Sequence, residues 1–359
     1  MAQILNHDQT NTLNALADDR DGPVALHRCQ TLIPVEGLGS PIFPPTYAPE
    51  NSQGKPGYNI DELSDGTRVA TIDSVGSQAN RMEPVFLRAK RGEPENPRSR
   101  LVPQIDITYS NGKSVSILEI GHRLGDALIR STCLKDPAHN AFSAFLNEND
   151  ASELARIAPT SLVFGVWDSR DTGAKLPRIV QSTIRAENVE ELTRSAQYSP
   201  PLDYAELGVI SEVEQEKQQG NPKSILAKRG FVHVPSVRTH GGVIAHGSIQ
   251  QSVTVNLIAL RRLDGQEGRE LRRYILGLAL VAATAPMDGF LRSGCLLSLD
   301  PENPAKWYSV ARSGSRCSIG MSEDTALAYA QYAAGAFGVG KDRTEKFDKR
   351  LAKADTKKK

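Results

Sequence analysis

This 359-residue sequence predicts an α+β fold with an antiparallel or mixed sheet and large insertions between its core elements. Three observations carry that prediction. Strand-like and helix-like segments alternate, but without the strict strand-helix-strand spacing or the Gly-rich loop of a doubly wound nucleotide fold. QIDITYSNGKSVSILEI (104–120) reads as two strands around Asn111-Gly112, the dipeptide favoured by a type I′ hairpin turn. Two long stretches, 40–67 and 190–250, are rich in Pro, Gly or charge and fit no core element.

Residues 8–20 read as a short polar helix, and PVALHRCQTLIPV (23–35) is apolar and β-branched enough for a buried strand. SPIFPPTYAPENSQGKPGYNIDELSDGT (40–67) is a long loop, a length usually functional or disordered. An apolar run from Val69 to Ile72 then meets a cluster of small polar residues, SVGSQANRM, which begins a helix at Ser74. RAKRGEPENPRSR (88–100) carries five Arg or Lys among thirteen residues and should be exposed. HRLGDALIRSTCL and ASELARIA (151–158) read as helices, SLVFGVWDS (161–169) as a strand, and RIVQSTIRAENV (178–189) as its partner.

Residues 190–250 form an inserted, partly mobile subdomain in this reading. SIQQSVTVNLIALRRL (248–263) resumes strand alternation, with Val253, Val255, Leu257 and Ala259 on one face. A helix spans about 266–285, and GCLLSLD (294–300) is a last strand. Ser322 caps the helix EDTALAYAQYAAGAF. The tail from Lys341, with nine basic and four acidic residues, is expected to be disordered near its end. The resulting organisation is an N-terminal helical extension (1–22), a core (23–193), an insertion (194–247), the rest of the core with C-terminal helices (248–340) and a basic tail (341–359).

Composition bounds the function. Hydrophobic residues make up 39% and charged residues 24%, enough for a sizeable core. The 43 basic and 42 acidic residues nearly cancel, so any basic surface must come from local clustering. The four cysteines, Cys29, Cys133, Cys295 and Cys317, lie far apart without zinc spacing and are expected to be buried thiols in a reducing cytosol. MAQILNHDQT lacks the basic start and apolar stretch of a secretory signal, and YILGLALVAATA (274–285) is too short to span a bilayer. A cytoplasmic protein without a metal or cofactor is expected.

Three constellations could carry chemistry. On a helix from Ser74, the residues Ser74, Ser77, Gln78 and Arg81 fall on one polar face, opposite Val75, Ala79 and Met82. Hydroxyl, carboxamide and guanidinium groups beside unpaired N–H groups at a helix start suit a phosphate, though a capped helix with a solvated face has the same composition. His122 and Asp126 in EIGHRLGDA could touch on a helix, as structural pairs also do, with Arg123 between them. VWDSRDTGAKLPR (166–178) offers Trp167 for stacking, or for a core, and Arg170, Lys175 and Arg178 for phosphate. From Lys228 to His240, the bases Lys228, Arg229, His233, Arg238 and His240 surround Phe231 with no acid, which suits a single-stranded nucleic acid or a solvated loop.

DSVGSQANRME, EIGHRLGDALIRS, FGVWDS with AKLPR, and VTVNLIALRRL with GFLRSGCLLSL occur in an order that resembles the backbone (spine) subunit of the type I-G (formerly I-U) CRISPR interference complex, Cascade, of the RAMP superfamily. The resemblance runs from about residue 23 to 337. It implies an RRM-like (ferredoxin-like) palm with an antiparallel sheet and inserted finger and thumb elements, the thumb falling on 194–247. It also implies polymerisation head to tail along the spacer of a CRISPR guide RNA, which pairs with target DNA beside other Cascade subunits and a helicase-nuclease. Ser77, Gln78 and Arg81 match the Ser-Gln-then-basic pattern that contacts guide backbone in relatives, while Asn80 stands where those relatives often carry a base. The RNA-binding set this implies is Ser74, Ser77, Gln78, Asn80, Arg81, His122, Arg123, Trp167, Arg170, Lys175, Arg178, Lys228, Arg229, Phe231, Arg238 and His240. The family implies no catalysis by this subunit. The alternative is a RAMP-type endoribonuclease using Asp168 or Asp171 of a loop, and an unrelated metabolic enzyme is a third reading, for which the sequence shows no site.

Overall fold

Alternation of buried and exposed residues decides the central strands. The computed structural model describes residues 5–49 and 56–357. Its strands include β1 (Ala25–Pro34), β2 (Arg68–Asp73), β3 (Val180–Glu187), β4 (Val189–Tyr198), β5 (Val234–Ala245), β6 (Ile249–Asn256), β7 (Phe290–Arg292), β8 (Cys295–Leu299), β9 (Lys306–Val310) and β10 (Arg316–Ile319). The principal helices are α1 (His7–Asp18), α2 (Val75–Met82), α3 (Pro159–Phe164), α4 (Leu257–Arg261), α5 (Gly268–Thr284) and α6 (Glu323–Phe337). The fold is α+β.

The main sheet has nine strands in the order β7-β8-β1-β6-β3-β2, ending on a short strand, Ile60–Glu62. β9 lies beside the first half of β1 and carries β10. Every pairing in this sheet is antiparallel. In β6, Ile249, Gln251, Val253 and Val255 are buried, while Gln250, Ser252 and Thr254 between them are half exposed. Val253 and Val255 join the main core with α5, which is buried along nearly its whole length. Each such Val or Leu contributes about 1.5–3 kcal/mol by leaving water. α6 closes on α5 at Gly277, where a Cβ would stand 2.7 Å from the Ala330 Cα, so the approach requires glycine. A second, smaller core joins Leu32, Ile72, Ile184, Val189, Val243 and Leu297.

β4 leaves β3 through Asn188, whose φ is +50°, and pairs with β5 from Val189↔Ala245 to Tyr198↔Val234. This two-stranded ribbon lies off the main sheet, and most of β4 beyond Val189 is exposed. Residues 199–233 make its tip, with short helices at Glu212–Gln218 and Ile225–Lys228. The insertion read over 194–247 is thus a ribbon whose strands run from 189 to 245.

Several local expectations are corrected. The hairpin pairs Ile105–Thr108 with Ser114–Ser116, but the Thr108↔Ser114 register leaves five residues for a 3-10 turn, not a two-residue turn. SLVFGVWDS is not one strand: Pro159 starts α3, Gly165 at φ +77° ends it, and only Val166–Trp167 are extended. All six residues of α3 are buried, so periodicity could not separate helix from strand there. β3 pairs with β6 and β2, and Val166–Trp167 pair instead with Lys175–Leu176. Strand alternation stops at Asn256, which caps α4, so Leu257 and Ala259 are helical.

HRLGDALIRSTCL is broken into a turn and a short helix, because Asp126 caps Ala127–Arg130 by accepting from the Leu128 N–H. β8 is followed by β9, β10 and Arg343–Lys346, so it is not the last strand. The basic tail forms that strand, parallel to Ile105–Thr108, and a helix at Lys349–Asp355. Of the expected disorder, residues 358–359 lie outside the described residues, as do residues 50–55 of the 40–67 loop. All four cysteines are free, but only Cys295 is buried, and Cys133 and Cys317 are exposed. Among the described residues no helix is long and apolar enough to cross a membrane.

Candidate nucleic-acid interface

β2 delivers α2 to the sheet. Its last residue, Asp73, is buried, and Ser74 caps the helix by accepting from the Ser77 N–H at 3.3 Å. Gln78, 1% exposed, turns inward rather than joining an outward polar face. Its Nε2 donates to Asp73 Oδ2 at 2.6 Å, and its Oε1 accepts from Ser182 Oγ at 2.7 Å and Gln251 Nε2 at 2.9 Å. Gln251 in turn accepts from Arg28 Nη1 at 3.1 Å, and burial lowers the Arg28 pKa. Buried amides and carboxylates are tolerated when paired in this way, and the network holds α2 against β3 and β6.

Arg81 is also committed within the chain. Its Nε donates to Asp73 Oδ2 at 3.1 Å, and its other nitrogens donate to the Phe290 and Leu291 carbonyls of β7. The outward side of α2 is left to Ser77, half-buried, to exposed Asn80, and to Gly76, beyond which space is open. Ser77 Oγ has no hydrogen-bond partner among the described residues.

Arg123 is 3% exposed, an interior residue rather than a surface cation. At φ +52° it points its Nε to within 2.7 Å of Glu83 Oε2, donates Nη1 to the Gly165 carbonyl at 3.1 Å, and covers the Phe164 ring at 5.3 Å. Burial pushes the Glu83 carboxyl up to about 7, against the opposing pull of the Arg123 charge. Arg123 Nη2 also reaches Asn80 Oδ1 at 3.4 Å, so α2 and the 121–125 turn meet. His122 is exposed on that turn, and the break at Asp126 denies the pair the shared helix their spacing suggested.

The same turn packs on the 165–178 hairpin, where a Cβ on Gly125 would stand 3.1 Å from Val166. Trp167 is 58% exposed, with Lys175 Nζ 5.4 Å from its ring centre. It is therefore a surface aromatic, not a core residue. Arg170 is exposed at the hairpin end, and Arg178 is half-buried beside Gly165. Asp168 is buried and accepts from the Thr172 N–H at 3.0 Å and the Thr172 hydroxyl at 2.7 Å, which folds the loop back. Asp171 Oδ2 lies 2.7 Å from His139 Nδ1.

On the ribbon, Lys228, Arg229 and Arg238 are exposed. Phe231 packs edge-on against Tyr204 at 4.8 Å and so holds the tip together. His240 is tied to the loop below, its Nε2 2.6 Å from the Pro56 carbonyl and its ring 5.0 Å from Tyr58. The predicted residues thus form two groups. One is contiguous, from α2 through the 121–125 turn to Trp167 and Arg178; the other is on the ribbon.

The sequence reading missed Arg28, Asp73, Ser182 and Gln251. A usable signal existed for Gln251, a carboxamide between Ile249 and Val253 on the apolar side of an alternating strand. A polar group in that place needs a buried partner.

Residues 26–191, a little under half of the chain, match the family described as CRISPR-associated protein GSU0053 (Cas_GSU0053). The match marks a CRISPR-associated protein family and a CRISPR-associated role. The matched span holds β1, α2, the Trp167 hairpin and the first residues of β4. No curated protein matches the chain.

Proposed function

We propose that the chain is a non-catalytic spine subunit that binds CRISPR guide RNA along its spacer, copy after copy, and presents it to target DNA. The observation that carries this reading is the ribbon, which emerges between two adjacent sheet strands, β3 and β6, and ends in exposed Lys228 and Arg229. A projecting, cation-bearing ribbon suits a thumb that crosses a strand of RNA.

Strand order supports an RRM-like palm. β8, β1, β6 and β3 lie side by side while the chain visits them as β1, β3, β6, β8, with helices before β3 and before β8. This is the 4-1-3-2 order of a ferredoxin-like sheet, with the thumb in the connection between its second and third strands. Ser77 and Asn80 on the outward side of α2, with Trp167, Lys175 and Arg170 on the hairpin across the 121–125 turn, make the palm contact: polar side chains and cations for phosphate, and an open ring for a base. The role of Asp168 in closing its own loop favours binding over cleavage. Neighbouring copies, other interference-complex subunits and a helicase-nuclease are the partners of this reading.

Co-expression with a CRISPR array tests it. Purified protein should retain RNA of uniform length. Protein free of RNA would overturn the proposal, and RNA shortened progressively on incubation would replace it with a ribonuclease.

A further inference from the structure

The α1–β1 loop, the end of α4 and the β9–β10 turn meet at one end of the main sheet. Each brings an exposed arginine, Arg20, Arg262 and Arg312 respectively, to one open cleft of about 600 Å³. None of the three guanidinium groups is in an ion pair among the described residues. Arg312 Nη2 donates to the Arg20 backbone carbonyl, at 2.6 Å, and so ties two walls together. The one acid lining the cleft, Asp264, stands 3.7 Å from Arg272, outside the trio.

A fourth arginine builds the site. Arg261, 9% exposed, donates Nη1 to the Pro23 carbonyl at 2.8 Å and Nη2 to the Leu16 carbonyl at 2.9 Å, stapling the loop that carries Arg20 onto the helix that precedes Arg262. Gly22 leaves room for it, since a Cβ there would stand 3.2 Å from Arg261 Nη2. Holding like charges around one cleft is unfavourable unless an anion joins them, and burial and the Arg312 charge lower the Arg261 pKa against the pull of Asp19.

We propose that this arginine cleft binds the sugar-phosphate backbone of a single-stranded nucleic acid. Guanidinium forks match phosphate oxygens two at a time, which ammonium groups do not. A protein partner is disfavoured because Ile258 is the one apolar side chain in the lining, whereas protein interfaces are built around apolar anchors. The site is separate from the guide-binding reading of α2, and Arg20, Arg262 and Arg312 all lie outside the span matched by the family model.

Fluorescence anisotropy with labelled oligo-dT and oligo-U, titrated across salt, tests the proposal. In the Arg20→Gln/Arg262→Gln variant, which spares the Arg312 bond, the slope of log affinity against log salt should flatten by about 0.7 per lost contact, about 1.4 in all. The Arg20→Lys/Arg262→Lys variant should keep the wild-type slope with weaker binding. Wild-type affinity and slope in the Gln variant would overturn the cleft. If that variant is unchanged while Trp167→Ala loses binding, the cleft fails and the palm reading stands. Poly-glutamate that binds as tightly as the oligonucleotides, and is lost in the same variant, would replace nucleic acid with an acidic protein.

Discussion

Gln78 Oε1 accepts a hydrogen bond from Gln251 Nε2 at 2.9 Å, joining α2 to a strand 173 residues further along the chain. The same oxygen takes the Ser182 hydroxyl, so one carboxamide registers the helix on two neighbouring strands. A residue expected to reach outward for phosphate is instead what sets the position of the helix surface proposed for that contact.

Replacing Gln78 by Leu should therefore act on stability. It leaves Ser182, Gln251 and Asp73 short of partners inside the protein, at about 1–3 kcal/mol for each group left unsatisfied. The urea midpoint should fall by the equivalent of at least about 2 kcal/mol, with the slope of the transition unchanged. An unchanged midpoint with weakened RNA retention would make Gln78 an outward contact after all.

Trp167→Ala should do the reverse. The ring is exposed and Lys175 lies over it, a contact of about 0.5–1 kcal/mol at the surface. Stability should change by no more than that. If a base stacks on the ring, affinity for single-stranded RNA should fall by about 1–3 kcal/mol, roughly five- to 150-fold. Equal binding by wild type and variant in an anisotropy titration would remove Trp167 from the interface.

The Glu83–Arg123 pair predicts a pH dependence of unusual sign. Burial raises the Glu83 carboxyl from 4.5 to about 7, so between those values the folded state holds a proton that the unfolded state has lost. Its contribution is fully present below pH 4.5 and is lost as pH rises through about 7, a decline on the order of 3 kcal/mol. Glu83→Gln should abolish this decline, read as the difference between variant and wild-type denaturation midpoints on either side of the window. Parallel curves would show that Arg123 keeps the carboxylate ionised throughout.

The ribbon tip should be dispensable for folding. Tyr198 and Val234 are cross-strand partners, so residues 199–233 can be replaced by Asn-Gly, whose two-residue turn closes that register. The shortened protein should keep its cooperative melting transition and form no regular filaments on guide RNA in electron microscopy. Filaments of unchanged subunit spacing would take the thumb role away from the tip.

Elements with local signals were legible. α1, β1 and the Ser74 and Ser322 caps follow from a period and a side-chain acceptor within a few residues. The α3 segment was not, because every side chain in Pro159–Phe164, Thr160 and Ser161 included, is buried, and a helix buried on all sides has no apolar stripe to read. Pro159 at its first position was the available clue. Arg123 resembled a surface base, but its buried partners, Glu83 and the Gly165 carbonyl, come from distant parts of the chain.

The sequence by itself determined that residue 74 starts a helix, that β6 alternates, and that a charged insertion interrupts the core. It also held the order of motifs that points to a CRISPR-associated chain. Which way Gln78 turns was decided only by tertiary structure. Gln78 lies i+4 from Ser74 in one helical stripe, with Ser77 and Arg81, and i+3 from Val75 in the next, with Ala79 and Met82. The choice between stripes was made by Asp73, Ser182 and Gln251 waiting beneath the helix, partners that exist only once β2, β3 and β6 lie side by side.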